Sequence, residues 1–243
     1  MGGAVAAADP VTQQATVTWH PQSGQSGVVP GASAELTRTD TGISFSFNAT
    51  QLQAGHAYTV WLVIINNTAA CAAQPCAAPD LLGNAGPDAQ VVYATGQVIG
   101  ESGAGTFEAS RDVGPILEGW LADRGLTNPH GAEVQLVLND HGPEIAEFMP
   151  AMIETYRAGC TDESLPTIFP ETAFADGEPG PNTCVLTQVA VFPGSSVPST
   201  AMDPPHGGMG LATLVGLSLI SLSALVTIRR LKWTSSAHAQ PRS

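Results

Sequence analysis

The sequence predicts a mainly β protein: an antiparallel β-sandwich of about seven or eight strands with one or two short helices, followed by a C-terminal transmembrane helix. Three observations carry this reading. Apolar and polar residues alternate with period two in one segment after another, as half-buried strands require. The 26 glycines and 19 prolines fall largely between those segments, as turns between short strands would place them. Residues 209–228 form an uncharged run of Met, Leu, Ile, Val, Ala, Gly, Ser and Thr. At about 1.5 Å per residue it spans roughly 30 Å, the thickness of a bilayer's hydrocarbon.

The elements follow in order. Residues 15–20 and 35–39 read as strands. Residues 42–50 set Ile43, Phe45 and Phe47 against Ser44, Ser46 and Asn48, so one face is expected in a core. Residues 56–66 are the most apolar run, a central strand covered on both sides. Further strands are expected at 89–99, 105–112, 132–139 and 183–192. Two segments, 116–124 and 144–157, carry apolar residues at helical spacing, the second through Ile145, Phe148, Met149, Met152, Ile153 and Tyr156. Pro150 lies inside the second and predicts a kink or a split. The domain is thus expected over residues 10–192. Residues 193–208, rich in Pro, Gly and Ser, read as a stalk.

Charge sets the orientation. All 21 acidic residues precede the apolar run, together with only four basic ones, which leaves residues 1–208 at −17. Arg229, Arg230 and Lys232 follow it at once. The positive-inside rule then puts residues 229–243 in the cytoplasm and the acidic domain outside. Residues 1–9 contain Ala6, Ala7 and Ala8 ahead of Asp9 and Pro10, like the cleavage end of a signal peptide, which implies a charged and apolar leader upstream. So acidic a domain repels nucleic acid and anionic lipid and suits cations or basic partners.

The four cysteines fall as two pairs without a metal-type double C-x-x-C, as in an oxidising compartment. Of three connectivities, Cys71 with Cys76 and Cys160 with Cys184 is the expected one. Metal chemistry would rest on the histidines. His130 and His141 stand at either end of one expected strand, which at about 3.3 Å per residue holds them far apart. A copper or zinc site around His141 would need Asp140, His56 or His20 to converge on it across strands, or the chain to bend back to His130. The plainer expectation is that these histidines hydrogen-bond in turns and at strand ends, with no cofactor. Asp162, Glu163, Glu171, Asp176 and Glu178 crowd one segment, but no D-x-D-x-D-G loop makes it a calcium site. Catalysis has no motif: G-x-S-x-G is absent, and the acids Glu144 and Glu147 are ordinary at a helix start. Trp61 is expected in the core, while Trp19 and Trp120 are open to a sugar-platform role. Asn48 and Asn66 stand in the N-x-T glycosylation pattern.

Residues 55–66 with Cys71 and Cys76, and residues 131–142, resemble an uncharacterised family of secreted bacterial β proteins, and the first stretch is faintly similar to CHRD-type sandwich domains. The last forty or so residues resemble bacterial sorting tags, although Pro204-Pro205-His206-Gly207-Gly208 matches neither the sortase nor the PEP-type motif. These resemblances imply fold and location and no activity. The expected function is a single-pass, membrane-anchored extracytoplasmic module for binding, adhesion or structure, with a protein, glycan or cation as partner. A metal-binding envelope protein is the alternative.

Overall fold

The computed structural model describes residues 9–81, 83–121, 123–164 and 179–194. The chain divides into units 1–199 and 200–243, and the described residues all belong to the first. The expected stalk beyond residue 194, the transmembrane run 209–228, the basic tail with Arg229, Arg230 and Lys232, and residues 1–8 lie outside them. Among the described residues no helix is long and apolar enough to cross a membrane.

The described strands are β1 (Val11–Ala15), β2 (Thr18–Trp19), β3 (Ser33–Thr39), β4 (Gly42–Ala49), β5 (His56–Ile65), β6 (Ala89–Val98), β7 (Gly105–Asp112), β8 (Gly114–Pro115), β9 (Gly125–Leu126), β10 (Glu133–Pro143) and β11 (Val185–Phe192). They pair antiparallel throughout. One sheet has the order β1-β3-β4-β7, a second β2-β11-β10-β5-β6, and β8-β9 is a separate ribbon.

Period two decides which side chains meet. In the four-stranded sheet Leu36, Phe45, Phe47 and Phe107 are buried, and they share one core cluster with Val60, Leu62, Ile64 and Leu136 of the five-stranded sheet. The other face of the four-stranded sheet carries Glu35, Thr37, Ser44, Ser46, Glu108 and Ser110, which line a polar concavity. In the five-stranded sheet the far face is apolar too. Trp61, Val63, Val91, Val137 and Leu186 form a second cluster there, roofed by Cys76, Leu81, Trp120 and Tyr156. Every residue of β5 after His56 is therefore buried, the central strand that its unbroken apolar run predicts.

Three local expectations need correction. Residues 15–20 are not one strand: β1 ends at Ala15 and pairs with β3, whereas β2 joins β11 in the other sheet. Residues 144–157 form two 3-10 turns, Ala146–Phe148 and Ala151–Ile153, and no α-helix. Pro150 between them has no N–H to give and its ring obstructs the preceding turn. Their apolar residues, led by Met152, pack on Ala57 and Ala158 as a third cluster.

The described part of 116–124 is likewise turns and bends, and the cause is Gln90 of β6, fully buried. Its Oε1 accepts from Leu121 N (2.9 Å), and its Nε2 donates to Leu121 O (2.8 Å) and Arg124 O (3.1 Å). These bonds take backbone groups that a helix would have used. A Cβ at Gly119 would lie 2.2 Å from the Gln90 carboxamide carbon, so glycine is what lets the loop come so close. The one described α-helix is a single turn, Ala78–Leu81, which periodicity is too coarse to detect. Asp80 accepts from Ala72 N (2.9 Å) and Ala77 N (3.0 Å), and these bonds hold its carboxyl below the usual range.

Candidate functional site

Chemistry-bearing side chains gather where β5 meets β10. Tyr58 faces Asp140 and Thr59 faces Asn139 in the register of this pair. Successive residues of a strand point to opposite sides, so the two strands present different polar sets on the two faces of the sheet.

Between the sheets, Asp140 is the hub. Its Oδ1 accepts from Gly142 N (2.7 Å), its Oδ2 accepts from the Tyr58 hydroxyl (2.9 Å), and His56 Nδ1 lies 3.0 Å from Oδ1. Tyr58 OH in turn accepts from Gln53 N (3.1 Å). Burial, and then the Asp140 charge, push the Tyr58 phenol well above its ordinary value, so it stays a donor at neutral pH.

On the far face lies His141, fully buried. Its Nδ1 is 2.9 Å from the Ala158 carbonyl, which can only accept, so Nδ1 carries the proton. Nε2 is then the acceptor, for Thr59 Oγ1 at 2.7 Å and Asn139 Nδ2 at 3.2 Å. Beside this ring runs the disulfide Cys160–Cys184, with Cys160 Sγ 3.6 Å from Nδ1. The second disulfide joins Cys71 and Cys76. Both are the pairings that the cysteine spacing favours.

Of the sequence-derived metal candidates, the structure brings His56 and Asp140 together and places His130 and His141 with other partners. His56 meets Asp140, His130 Nε2 meets Asp40 Oδ1 at 3.1 Å, and His141 Nδ1 meets the Ala158 carbonyl. Asp140 and His141, neighbours in sequence, lie on opposite faces of the sheet. Among the described residues the group whose ligand atoms lie within 4.8 Å of one another is His141, Cys160 and Cys184, and here both sulfurs are committed to the disulfide.

Sequence reasoning missed a cavity on the far face. It encloses about 330 Å³ between the five-stranded sheet and the loop that carries Cys76 and Ala78, and Trp61, Val63, Val137, Leu186 and Val189 form its apolar wall. Gln135 and His20 are its polar contributors. Glu133 Oε1 accepts from Cys76 N (3.0 Å) and Gln135 Nε2 donates to Cys76 O (2.9 Å), so the loop is tied to β10. His20 Nδ1 accepts from Gln22 N (3.2 Å), which leaves the proton of the neutral ring on Nε2. Burial lowers the His20 pKa, so the uncharged ring prevails at neutral pH. The signal for this cavity was the double apolar face of β5, but nothing in the pattern said what would roof it.

The tryptophans divide. Trp61 is core, and Trp120 stacks on Tyr156 with centroids 5.4 Å apart and planes 5° from parallel. Trp19 borders a small polar hollow with Tyr58 and Asp140. Asn66 is no free glycan acceptor, because its Nδ2 donates to Asp88 O (2.9 Å) and Gly125 O (2.8 Å) and its Oδ1 accepts from Thr127 N (2.9 Å). Comparison with known protein families, with curated proteins and with solved structures finds no match.

Proposed function

We propose that this chain is a single-pass, membrane-anchored extracytoplasmic β-sandwich that binds a small uncharged amphiphile in the far-face cavity and performs no chemistry on it. The observation that carries the reading is the cavity itself: apolar walls from four strands, a roof stapled by Cys71–Cys76, and two polar side chains. At about 330 Å³ it stands at the small end of ligand sites, which run from about 300 to 1,000 Å³. A neutral His20 offers a donor and no cation, so an alcohol or carbonyl group suits it better than a carboxylate. Anchoring by residues 209–228, with Arg229, Arg230 and Lys232 inside, is supported by charge asymmetry, and the outer location by the two disulfides.

A homologous series of primary alcohols, titrated calorimetrically into the detergent-solubilised chain, tests the reading. Each methylene buried contributes about 0.8 kcal/mol, so affinity rises about fourfold per carbon from butanol towards octanol and levels off once the cavity is filled. Val189→Trp, at the half-buried wall, abolishes the binding while leaving the circular dichroism unchanged. An affinity that does not depend on chain length, or that survives Val189→Trp, refutes the site.

A further inference from the structure

We propose that reduction of the Cys160–Cys184 disulfide creates a metal site in which the two thiolates and His141 Nδ1 hold one Zn²⁺ ion. The inference does not depend on the amphiphile cavity.

The geometry is close to what zinc requires. With Zn–S near 2.3 Å and Zn–N near 2.05 Å, a tetrahedral angle separates a sulfur from a nitrogen by about 3.6 Å and two sulfurs by about 3.8 Å. Cys160 Sγ already lies 3.6 Å from His141 Nδ1. The two sulfurs must part, each by about 0.9 Å, a displacement within reach of a small χ1 change, and the Ala158 carbonyl, 2.9 Å from Nδ1, must turn aside to give its place to the ion.

The surroundings fit as well. Ligating histidines hold their second ring nitrogen on a hydrogen-bond partner, and Thr59 Oγ1 stands 2.7 Å from His141 Nε2. In the disulfide form the hydroxyl donates to Nε2. In the metal form the ring proton resides on Nε2, the hydroxyl turns to accept it, and the Asn139 amide, whose Nδ2 lies 3.2 Å from Nε2, turns its N–H away. All three ligands are buried. Two thiolates and a neutral imidazole balance the charge of Zn²⁺, so no net charge is left in the low-dielectric interior.

The steps balance. A phosphine attacks one sulfur and the S–S bond breaks. Water then supplies the oxygen of the phosphine oxide and the protons of two thiols, so the disulfide gains two electrons and the phosphine loses two. Zn²⁺ binding then releases both thiol protons to the buffer, while the imidazole proton moves from Nδ1 to Nε2 by exchange with solvent. Three protein ligands leave a fourth position for water.

The test uses Co²⁺ as a spectroscopic stand-in. Because Cys160 and Cys184 are buried, the full chain is unfolded with a phosphine present and refolded in detergent with Co²⁺. The expected result is one Co²⁺ per chain, with thiolate-to-cobalt charge transfer and tetrahedral d–d bands. Excess Zn²⁺ bleaches these bands. They are absent from the oxidised chain and from Cys160→Ser and Cys184→Ser, and they persist in the Cys71→Ser/Cys76→Ser double variant. Thr59→Val, which removes the acceptor for Nε2–H, weakens binding about tenfold or more. The proposal is overturned if the reduced chain binds no Co²⁺ or stays unfolded with it. Bands that survive Cys160→Ser with Cys184→Ser, or that vanish only with Cys71 and Cys76, overturn it too.

Discussion

Arg38 shows at a single residue how this core tolerates a charge. Period two puts it on the buried face of β3 with Ala34 and Leu36, and it is fully buried. Its guanidinium donates to Gln13 Oε1 (2.7 Å), Pro129 O (2.6 Å), Ala132 O (2.8 Å) and Pro193 O (3.1 Å). Burial lowers its pKa to about 10, which still leaves it charged at neutral pH. One side chain thus ties β1, the approach to β10 and the exit of β11 together. A lysine carries the charge but not the planar fork, so Arg38→Lys is expected to cost about 2–4 kcal/mol in denaturant unfolding. The alternation that placed Leu36 inside could have flagged Arg38 from sequence, whereas its carbonyl partners lie far along the chain and left no local trace. His20 gives a pH dependence of definite sign. Its folded pKa is below the unfolded value of 6.5, so between the two the unfolded chain binds more protons and stability rises with pH. Melting temperature should therefore fall on acidification from about pH 7 through that window, and less steeply in His20→Gln.

At the scale of elements, what the sequence made legible was whatever depends on period two. Strands were expected at 42–50, 56–66, 89–99 and 105–112, and β4, β5, β6 and β7 occupy those positions with ends within a residue or two. Helical spacing misled at 116–124 and 144–157, because apolar residues at i, i+3 and i+4 also arise in irregular loops that fold onto an apolar sheet face. The deciding interactions there are long-range. Gln90 binds the first loop from β6, and Tyr93 OH donates to Ile153 O (2.6 Å) in the second. Gln90→Leu should leave Leu121 N without its acceptor and take one of two donors from Leu121 O and from Arg124 O, and so destabilise the fold by about 1–3 kcal/mol, measured by urea unfolding. An unchanged midpoint would mean that the loop holds its shape without that amide.

Across the whole described domain, two sheets bury one core between them and one sheet buries a second apolar face under loops. The first core was readable from alternation. The second face was readable only as the two-sided burial of β5, since its roof comes from the Cys71–Cys76 loop, Trp120 and Tyr156, which periodicity does not assign to any element. The site showed the same limit. His141 was identified as a candidate, but its neighbours Thr59, Ala158 and Cys160 came from the register of β5 and from a returning loop, not from spacing. If the far face is a binding surface, occupancy must be felt there and not between the sheets. Methyl NMR of the isotopically labelled chain during an octanol titration measures this directly. Saturable shifts are expected at Val63, Val137, Leu186 and Val189, with Leu36 and Leu62 unmoved. Shifts centred on Leu36 and Leu62, or none at saturating octanol, would contradict binding at the far face.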